Sequence, residues 1–190
     1  MNKIISKEQF SEKVFKLEIE APLIAKSRRA GHFVIVRVDE KGERMPLTIA
    51  GSDLNKGTIT LVVQTVGLSS TKLCNLNEGD YVLDVVGPLG QATHIQNYGT
   101  VVCAGGGVGV APMLPIIQAL KAAGNRVISV LAGRSKDLII LENEVRASSD
   151  EVIIMTDDGS YGTKGLVTEV SKASSSVKRW TSVSPSVLLS

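Results

Sequence analysis

Between residues 95 and 120 the chain carries no charged side chain, and inside that stretch lies Val101-Val102-Cys103-Ala104-Gly105-Gly106-Gly107-Val108-Gly109-Val110-Ala111-Pro112. An uncharged run of this length passes the usual window for a membrane span. Its interior argues against one. Four glycines, with Pro112 and Pro115 just after, would interrupt a lipid-exposed helix and leave its backbone partly unbonded. A buried strand that enters a glycine loop and then a helix accommodates the same residues, so no membrane span is expected. Such a loop has a physical use: glycines let backbone approach a pyrophosphate closely, and the helix start offers unpaired N–H groups and the positive end of its dipole. Gly105, Gly106, Gly107, Val108 and Gly109 are therefore candidate phosphate contacts. Pro112 suits the first helical turn, where its missing N–H would have had no partner. Glycines chosen only for tight strand–helix packing are the plain alternative.

The hydrophobic period changes across this loop. Upstream, residues 14–21 alternate as Val-Phe-Lys-Leu-Glu-Ile-Glu-Ala, and further strands are expected over 33–38, 44–50, 58–66 and 80–86, with a short helix over 69–76. About six short strands with turn residues between them predict an antiparallel six-stranded Greek-key barrel in residues 1–97. Downstream, strand 100–104 and helix 111–123, stopped by Gly124-Asn125, lead to strand 126–132. A helix over 137–147, with Leu138, Leu141 and Val145 on one face, and a strand over 151–156 follow. This β-α-β-α-β order predicts a parallel, right-handed sheet in residues 98–170. It is a partial α/β nucleotide-binding domain, because a doubly wound domain normally carries five or more strands and only three can be drawn here. Met113 and Met155 sit in apolar runs and read as core.

Composition narrows the partners. The chain of 190 residues is 43% hydrophobic and 21% charged, enough to bury a core, and its 21 basic and 19 acidic side chains leave a net charge of +2. That balance gives no surplus for nucleic acid. Cys74 and Cys103, with His32 and His94, show no metal-ligand spacing and no disulfide framework. The amino terminus lacks a secretory hydrophobic region, so a reducing, cytoplasmic setting is expected. Residues 171–190 form an atypical serine-rich tail, with an apolar Val187-Leu188-Leu189 end. It is expected either to be disordered or not to continue the domain naturally, through truncation or a shifted frame near Val170.

A second constellation lies in the first half. Arg44-Met45-Pro46-Leu47-Thr48-Ile49 and Gly67-Leu68-Ser69-Ser70-Thr71 together supply what a flavin requires. That is a polar partner at ring N5, a fixed apolar strand, and hydroxyl or N–H donors for a pyrophosphate. From residue types alone, a strand threonine such as Thr48 is also an ordinary surface hydroxyl, and Ser69-Ser70 could simply cap the helix that follows. In the second half, Arg134 ends a strand and could contact adenosine or a 2′-phosphate, or be a solvated basic residue beside Lys136. Asp157 opens Asp157-Asp158-Gly159-Ser160-Tyr161-Gly162 at another strand end, either lining a nicotinamide site or forming an ordinary acidic loop.

Barrel first and nucleotide unit second, these motifs resemble the ferredoxin–NADP reductase superfamily over about residues 3–170. Gly31-His32-Phe33-Val34 is similar to its G-Q-F strand, and Gly87-Pro88-Leu89-Gly90 to its G-P-x-G corner. Residues 103–112 are similar to its G-G-x-G-x-A-P nicotinamide loop. The branch most resembled is that of the electron-transfer subunits of class-B dihydroorotate dehydrogenase and of sulfide dehydrogenase or NADH-dependent ferredoxin–NADP oxidoreductase. The resemblance implies that Thr48 hydrogen-bonds near flavin N5 as the Ser or Thr of R-x-Y-[ST]. Leu47 falls at the tyrosine place and Met45 at that of the arginine, with Arg44 one residue earlier. Pro46-Leu47-Thr48-Ile49 is similar to the branch's P-[LI]-[ST]-I, and Gly67 and Ser70 to the later G-x-x-[ST] that holds FAD phosphates. Full-length relatives carry a cysteine-rich [2Fe-2S] segment, for which this chain has no ligands.

The resemblance therefore implies an NAD(P)H-dependent flavin oxidoreductase subunit that binds FAD and NAD(P)H. Hydride would pass between them, and electrons would pass onward to a catalytic flavin or iron–sulfur subunit of a hetero-oligomer. The alternatives are a non-catalytic flavin- or nucleotide-binding module and a reductase component that serves an oxygenase.

Overall fold

Residues 14–20 alternate as expected and form strand β2 (Val14–Glu20), which buries Val14, Leu17 and Ile19 on one side. In this computed structural model, which describes residues 1–165 and 180–182, the chain divides into two compact units, Met1–Thr93 and His94–Ser190.

The first unit is an antiparallel sheet of seven strands, not six. It comprises β1 (Asn2–Ser11), β2, β3 (Phe33–Arg37), β4 (Met45–Asp53), β5 (Thr58–Gln64), β6 (Tyr81–Val82) and β7 (Asp84–Leu89), in the order β6-β1-β2-β5-β4-β3-β7. β3, β4 and β5 are consecutive neighbours and β2 returns beside β5, which is the Greek-key arrangement. The extra strands have separate causes. β1 buries only Ile4 fully, so it shows no alternation to read. The strand expected over 80–86 divides at Leu83: β6 pairs with β1, while β7 pairs with β3. Leu83 donates its N–H to the Val38 carbonyl at 3.0 Å. Because one residue joins strands at opposite ends of the order, the sheet curls round a core of Ile4, Leu17, Ile19, Val34, Val36, Ile49, Ile59, Leu61 and Leu73. Two helices belong to this unit, α1 (Pro22–Ser27) and α2 (Leu68–Asn75), and they contribute Ile24, Ala25, Leu73 and Cys74 to that core.

The second unit is a parallel sheet in the order β11-β10-β9-β8-β12. Its long strands are β8 (Thr100–Gly106), β9 (Arg126–Gly133) and β10 (Glu151–Thr156), the three expected. Two short strands extend them, β11 (Thr163–Lys164) beside β10 and β12 (Trp180–Ser182) beside β8. Strands of two and three residues carry no hydrophobic period, which is why sequence showed three strands rather than five. The remainder of the serine-rich tail, 171–179 and 183–190, lies outside the described residues. Helix α3 (Val110–Ala122) is buried on nearly every side, Met113 and Ile117 most completely, and packs against β8 and β9. Met155 is likewise core.

The helix expected over 137–147 is shorter. A 3-10 turn covers Lys136–Leu138, Leu141 takes a left-handed φ of 56°, and only α4 (Glu142–Ala147) is helical. Leu141 and Val145 remain buried while Leu138 is only half-buried, so two of the three expected face residues keep their burial although the continuous helix is absent. No described helix is long and apolar enough to cross a membrane.

Buried Asn125 fixes the segment that leads into β8. Its Nδ2 donates to the carbonyls of Gln96 at 2.9 Å and Leu120 at 2.8 Å, and its Oδ1 accepts the Tyr98 N–H at 2.6 Å. Asn125→Ala strands these groups and is expected to cost about 2–3 kcal/mol, read as a lower urea midpoint. Unchanged unfolding would contradict that role.

Candidate cofactor sites

On β4, Thr48 lies opposite Phe33 of β3, Leu47 lies opposite Val34, and Ile49 pairs with Leu61 of β5. Successive side chains on a strand face opposite sides. Met45, Leu47 and Ile49 accordingly pack with the barrel core, Ile49 only 1% exposed, while Pro46 and Thr48 turn to the outer face. Pro46 is exposed there, but Thr48 is not simply a surface hydroxyl. Its Oγ1 is buried and has no hydrogen-bond partner among the described residues. A buried hydroxyl left unpaired costs about 1–3 kcal/mol, so a native structure that keeps one calls for a missing partner. Phe33, across the ladder, packs against Gly90, where a Cβ would stand 2.9 Å from the ring.

The other first-unit candidates gather at the start of α2. Gly67 precedes the helix in extended backbone and nothing lies within 4 Å of where its Cβ would be. Ser70 is buried and its hydroxyl is fully used inside the turn. It accepts the N–H groups of Val66 and Gly67 and donates to the Gly67 carbonyl, each at 3.0 Å. The capping alternative therefore describes the Ser70 side chain, whereas the first N–H groups of α2 have no intrahelical acceptor. Thr71 is exposed and donates its N–H to Gly67 at 3.0 Å. Two contacts unseen in sequence bring the start of β4 to this helix. The Ser69 hydroxyl donates to Glu43 at 3.2 Å, and Lys72 pairs with Asp39, whose carboxyl that hydrogen bond holds below its ordinary range. Arg44, the residue after Glu43, is exposed.

In the second unit the candidates sit at the carboxyl ends of neighbouring parallel strands, where open α/β sheets place ligands. β8 ends at Gly105 and Gly106, a 3-10 turn spans Gly107–Gly109, and α3 begins at Val110 with Pro112 in its first turn. Gly105 is packed tightly, since a Cβ there would lie 3.1 Å from the Gly109 carbonyl oxygen. Gly107 differs: its φ is +52° and nothing lies within 4 Å of a Cβ position, so backbone there is open to a ligand. Val108 is half-buried and Gly109 buried. Arg134 follows β9 and Asp157 follows β10, both exposed. Their loops touch through backbone, Asp157 N–H donating to Gly133 and Asp158 N–H to Arg134, each at 3.1 Å. Asp158 is held below its usual carboxyl range by the hydroxyl and then the N–H of Ser160.

Among the described residues no group of three or more His, Cys, Asp or Glu side chains could hold a metal ion. Cys74 and Cys103 are free and buried, and burial pushes each thiol up to about 11.

An antiparallel Greek-key barrel followed by a parallel sheet with a glycine turn at its strand ends defines a ferredoxin reductase-like protein. Comparison with known proteins agrees. The family described as "Oxidoreductase FAD-binding domain" matches residues 2–94. The chain is 47% identical over 169 residues to the "Dihydroorotate dehydrogenase B (NAD(+)), electron transfer subunit homolog" of Thermotoga maritima, covering 89% of this chain and 60% of that protein. It is 33% identical over 173 residues to the dihydroorotate dehydrogenase B electron transfer subunit of Streptococcus pneumoniae serotype 4, covering 88% of this chain and 68% of that protein. A solved structure of NADH-dependent reduced ferredoxin-NADP oxidoreductase superposes with a TM-score of 0.90 at 41% identity, covering 99% of this chain and 69% of that one. The chain belongs to the FAD-binding oxidoreductase family that includes the dihydroorotate dehydrogenase B electron transfer subunits. It spans about 60% of the length of the Thermotoga maritima relative.

The thiols give a pH test. Unfolded cysteine ionises near about 8.5, so burial of Cys74 and Cys103 favours the fold fully below that pH, and the contribution is lost as pH rises through about 11. At pH 8 a soluble aromatic disulfide should label neither thiol in the folded chain and both in denaturant. Rapid labelling of the folded chain would contradict the burial.

Proposed function

We propose that this chain is the flavin- and nucleotide-binding part of an electron-transfer subunit, passing a hydride between NAD(P)H and FAD and electrons onward to a partner carrying a flavin or an iron–sulfur cluster. The buried, partnerless Thr48 hydroxyl carries this reading, because a flavin edge offers the hydrogen-bonding group it lacks. The names of the relatives support the same class of activity.

The residues present fit FAD. Thr48 would meet the ring near N5, and the β4 backbone from Pro46 to Ile49 would form the strand against it. Leu47 and Ile49 would act by fixing that strand, since their side chains are committed to the core. Arg44, Gly67, the first N–H groups of α2 and Thr71 would hold the diphosphate, with Ser70 keeping the turn in shape. Gly105 through Gly109 and Pro112 would seat the dinucleotide's diphosphate at the start of α3. Arg134 and Asp157 would meet its nucleoside portions at the adjoining strand ends. FAD, when bound, supplies the conversion between two-electron hydride acceptance and one-electron release. The chain's own work is to bind, align and offer a hydrogen bond, and no base or nucleophile is required of it. A reducing, cytoplasmic setting suits two free, buried thiols.

Thr48→Val separates flavin binding from mere packing. Without FAD the variant should be more stable than wild type by about 1 kcal/mol, since an unpaired buried hydroxyl is removed. With FAD that advantage should disappear and reduction by NADH should slow by about tenfold. Differential scanning of both forms, with visible absorbance to confirm FAD uptake, reads these effects. A wild-type chain that takes up no FAD, or a variant whose stability responds to FAD as wild type does, would overturn the assignment.

A further inference from the structure

The loops after β9 and β10 are joined by more than backbone. Tyr161 is anchored at its own strand end, its carbonyl accepting the Thr156 hydroxyl at 2.7 Å and its N–H donating to the same oxygen at 3.1 Å. Thr156 is fully buried. From this anchor the Tyr161 side chain reaches across to the β9 side. Its hydroxyl donates to Glu142 Oε1 at 3.0 Å, an atom that also accepts Arg146 Nε at 2.7 Å, and Lys136 Nζ lies 5.3 Å from the centre of its ring. The Lys136 N–H adds a bond to Ser160 Oγ at 2.9 Å. Four connections thus converge on residues 134–142, a segment that contains the left-handed Leu141. Arg134, at its head, has its carbonyl bonded to Asp158 and its exposed guanidinium directed to no ion-pair partner among the described residues.

We propose that Tyr161 is a positioning residue for the nicotinamide dinucleotide, holding the loop after β9 so that Arg134 is presented to the nucleoside end of the ligand before it arrives. The inference rests on the dinucleotide site proposed above. Tyr161 need not touch the ligand; it lowers the ordering that binding would otherwise demand of the Arg134–Asp137 backbone. The chemistry expected at that place is charged or hydroxyl-bearing, a ribose or its phosphate, since the group left available is a guanidinium.

The test measures NADH and NADPH binding by calorimetry on the FAD-loaded chain for wild type, Tyr161→Phe, Tyr161→Ala and Glu142→Gln. Amide hydrogen exchange over 134–138 is followed in parallel. Tyr161→Ala should weaken dinucleotide binding by about tenfold and raise exchange across 134–138. FAD uptake and the thermal midpoint should stay at wild-type values, and saturating nucleotide should restore the protection. Tyr161→Phe keeps the ring beneath Lys136 and should lose only about threefold, while Glu142→Gln keeps an acceptor for the hydroxyl and should bind as wild type. Unchanged affinity in Tyr161→Ala, or parallel loss of FAD uptake and thermal stability, would overturn the positioning role. A wild-type chain that binds neither dinucleotide would instead overturn the site itself.

Discussion

The register between β3 and β4 decides what the first unit can do. With Phe33 opposite Thr48 and Val34 opposite Leu47, Met45, Leu47 and Ile49 of β4 enter the barrel and the Thr48 hydroxyl between them is turned outward. A shift of one residue would exchange the two sets, placing Thr48 in an apolar core and Leu47 on the outside. Leu17, Ile19, Ile49, Ile59 and Leu61, among the barrel's largest fully buried side chains, favour the observed register. Each is worth about 1.5–3 kcal/mol when taken from water. Against that, the unpaired Thr48 Oγ1 is a modest cost, tolerated because packing over-determines the strand.

The second unit brings its candidate residues together by different means. Parallel strands send their carboxyl ends to one edge, so the glycine turn after β8, Arg134 after β9 and Asp157 after β10 come together through topology. Side chains are then needed mainly to hold loops, and the described hydrogen bonds of Thr156, Ser160 and Tyr161 do this. Asn125 serves a similar purpose at the opposite end of the sheet, tying residues 96–98 to the turn between α3 and β9.

Much of this was legible from residues alone because the informative segments have strong periods. The alternation over 14–20, the uncharged strand into Gly105–Gly109, and the Gly124 stop after α3 each correspond to an element found close to its expected place. Elements without a period escaped notice: β1, with one fully buried residue, and the two- and three-residue strands β11 and β12. Leu138, Leu141 and Val145 gave a helical spacing that the chain meets with a 3-10 turn and a left-handed residue instead, since spacing constrains burial more tightly than backbone. At the candidate sites, residue types suggested Thr48 and Ser70 equally. Only the structure separates a hydroxyl that lacks a partner from one whose bonds are already complete. The Glu43–Ser69 and Tyr161–Glu142 contacts span 26 and 19 residues, and no local pattern encodes them.

Transfer between two cofactors is the claim on which the functional account stands, and rapid anaerobic mixing of the FAD-loaded chain with NADH or NADPH addresses it directly. The visible flavin bands should bleach with at least one of the two nucleotides, at a rate that saturates as nucleotide concentration rises. Bound flavin that keeps its colour with both would contradict the account and leave the chain a binding module.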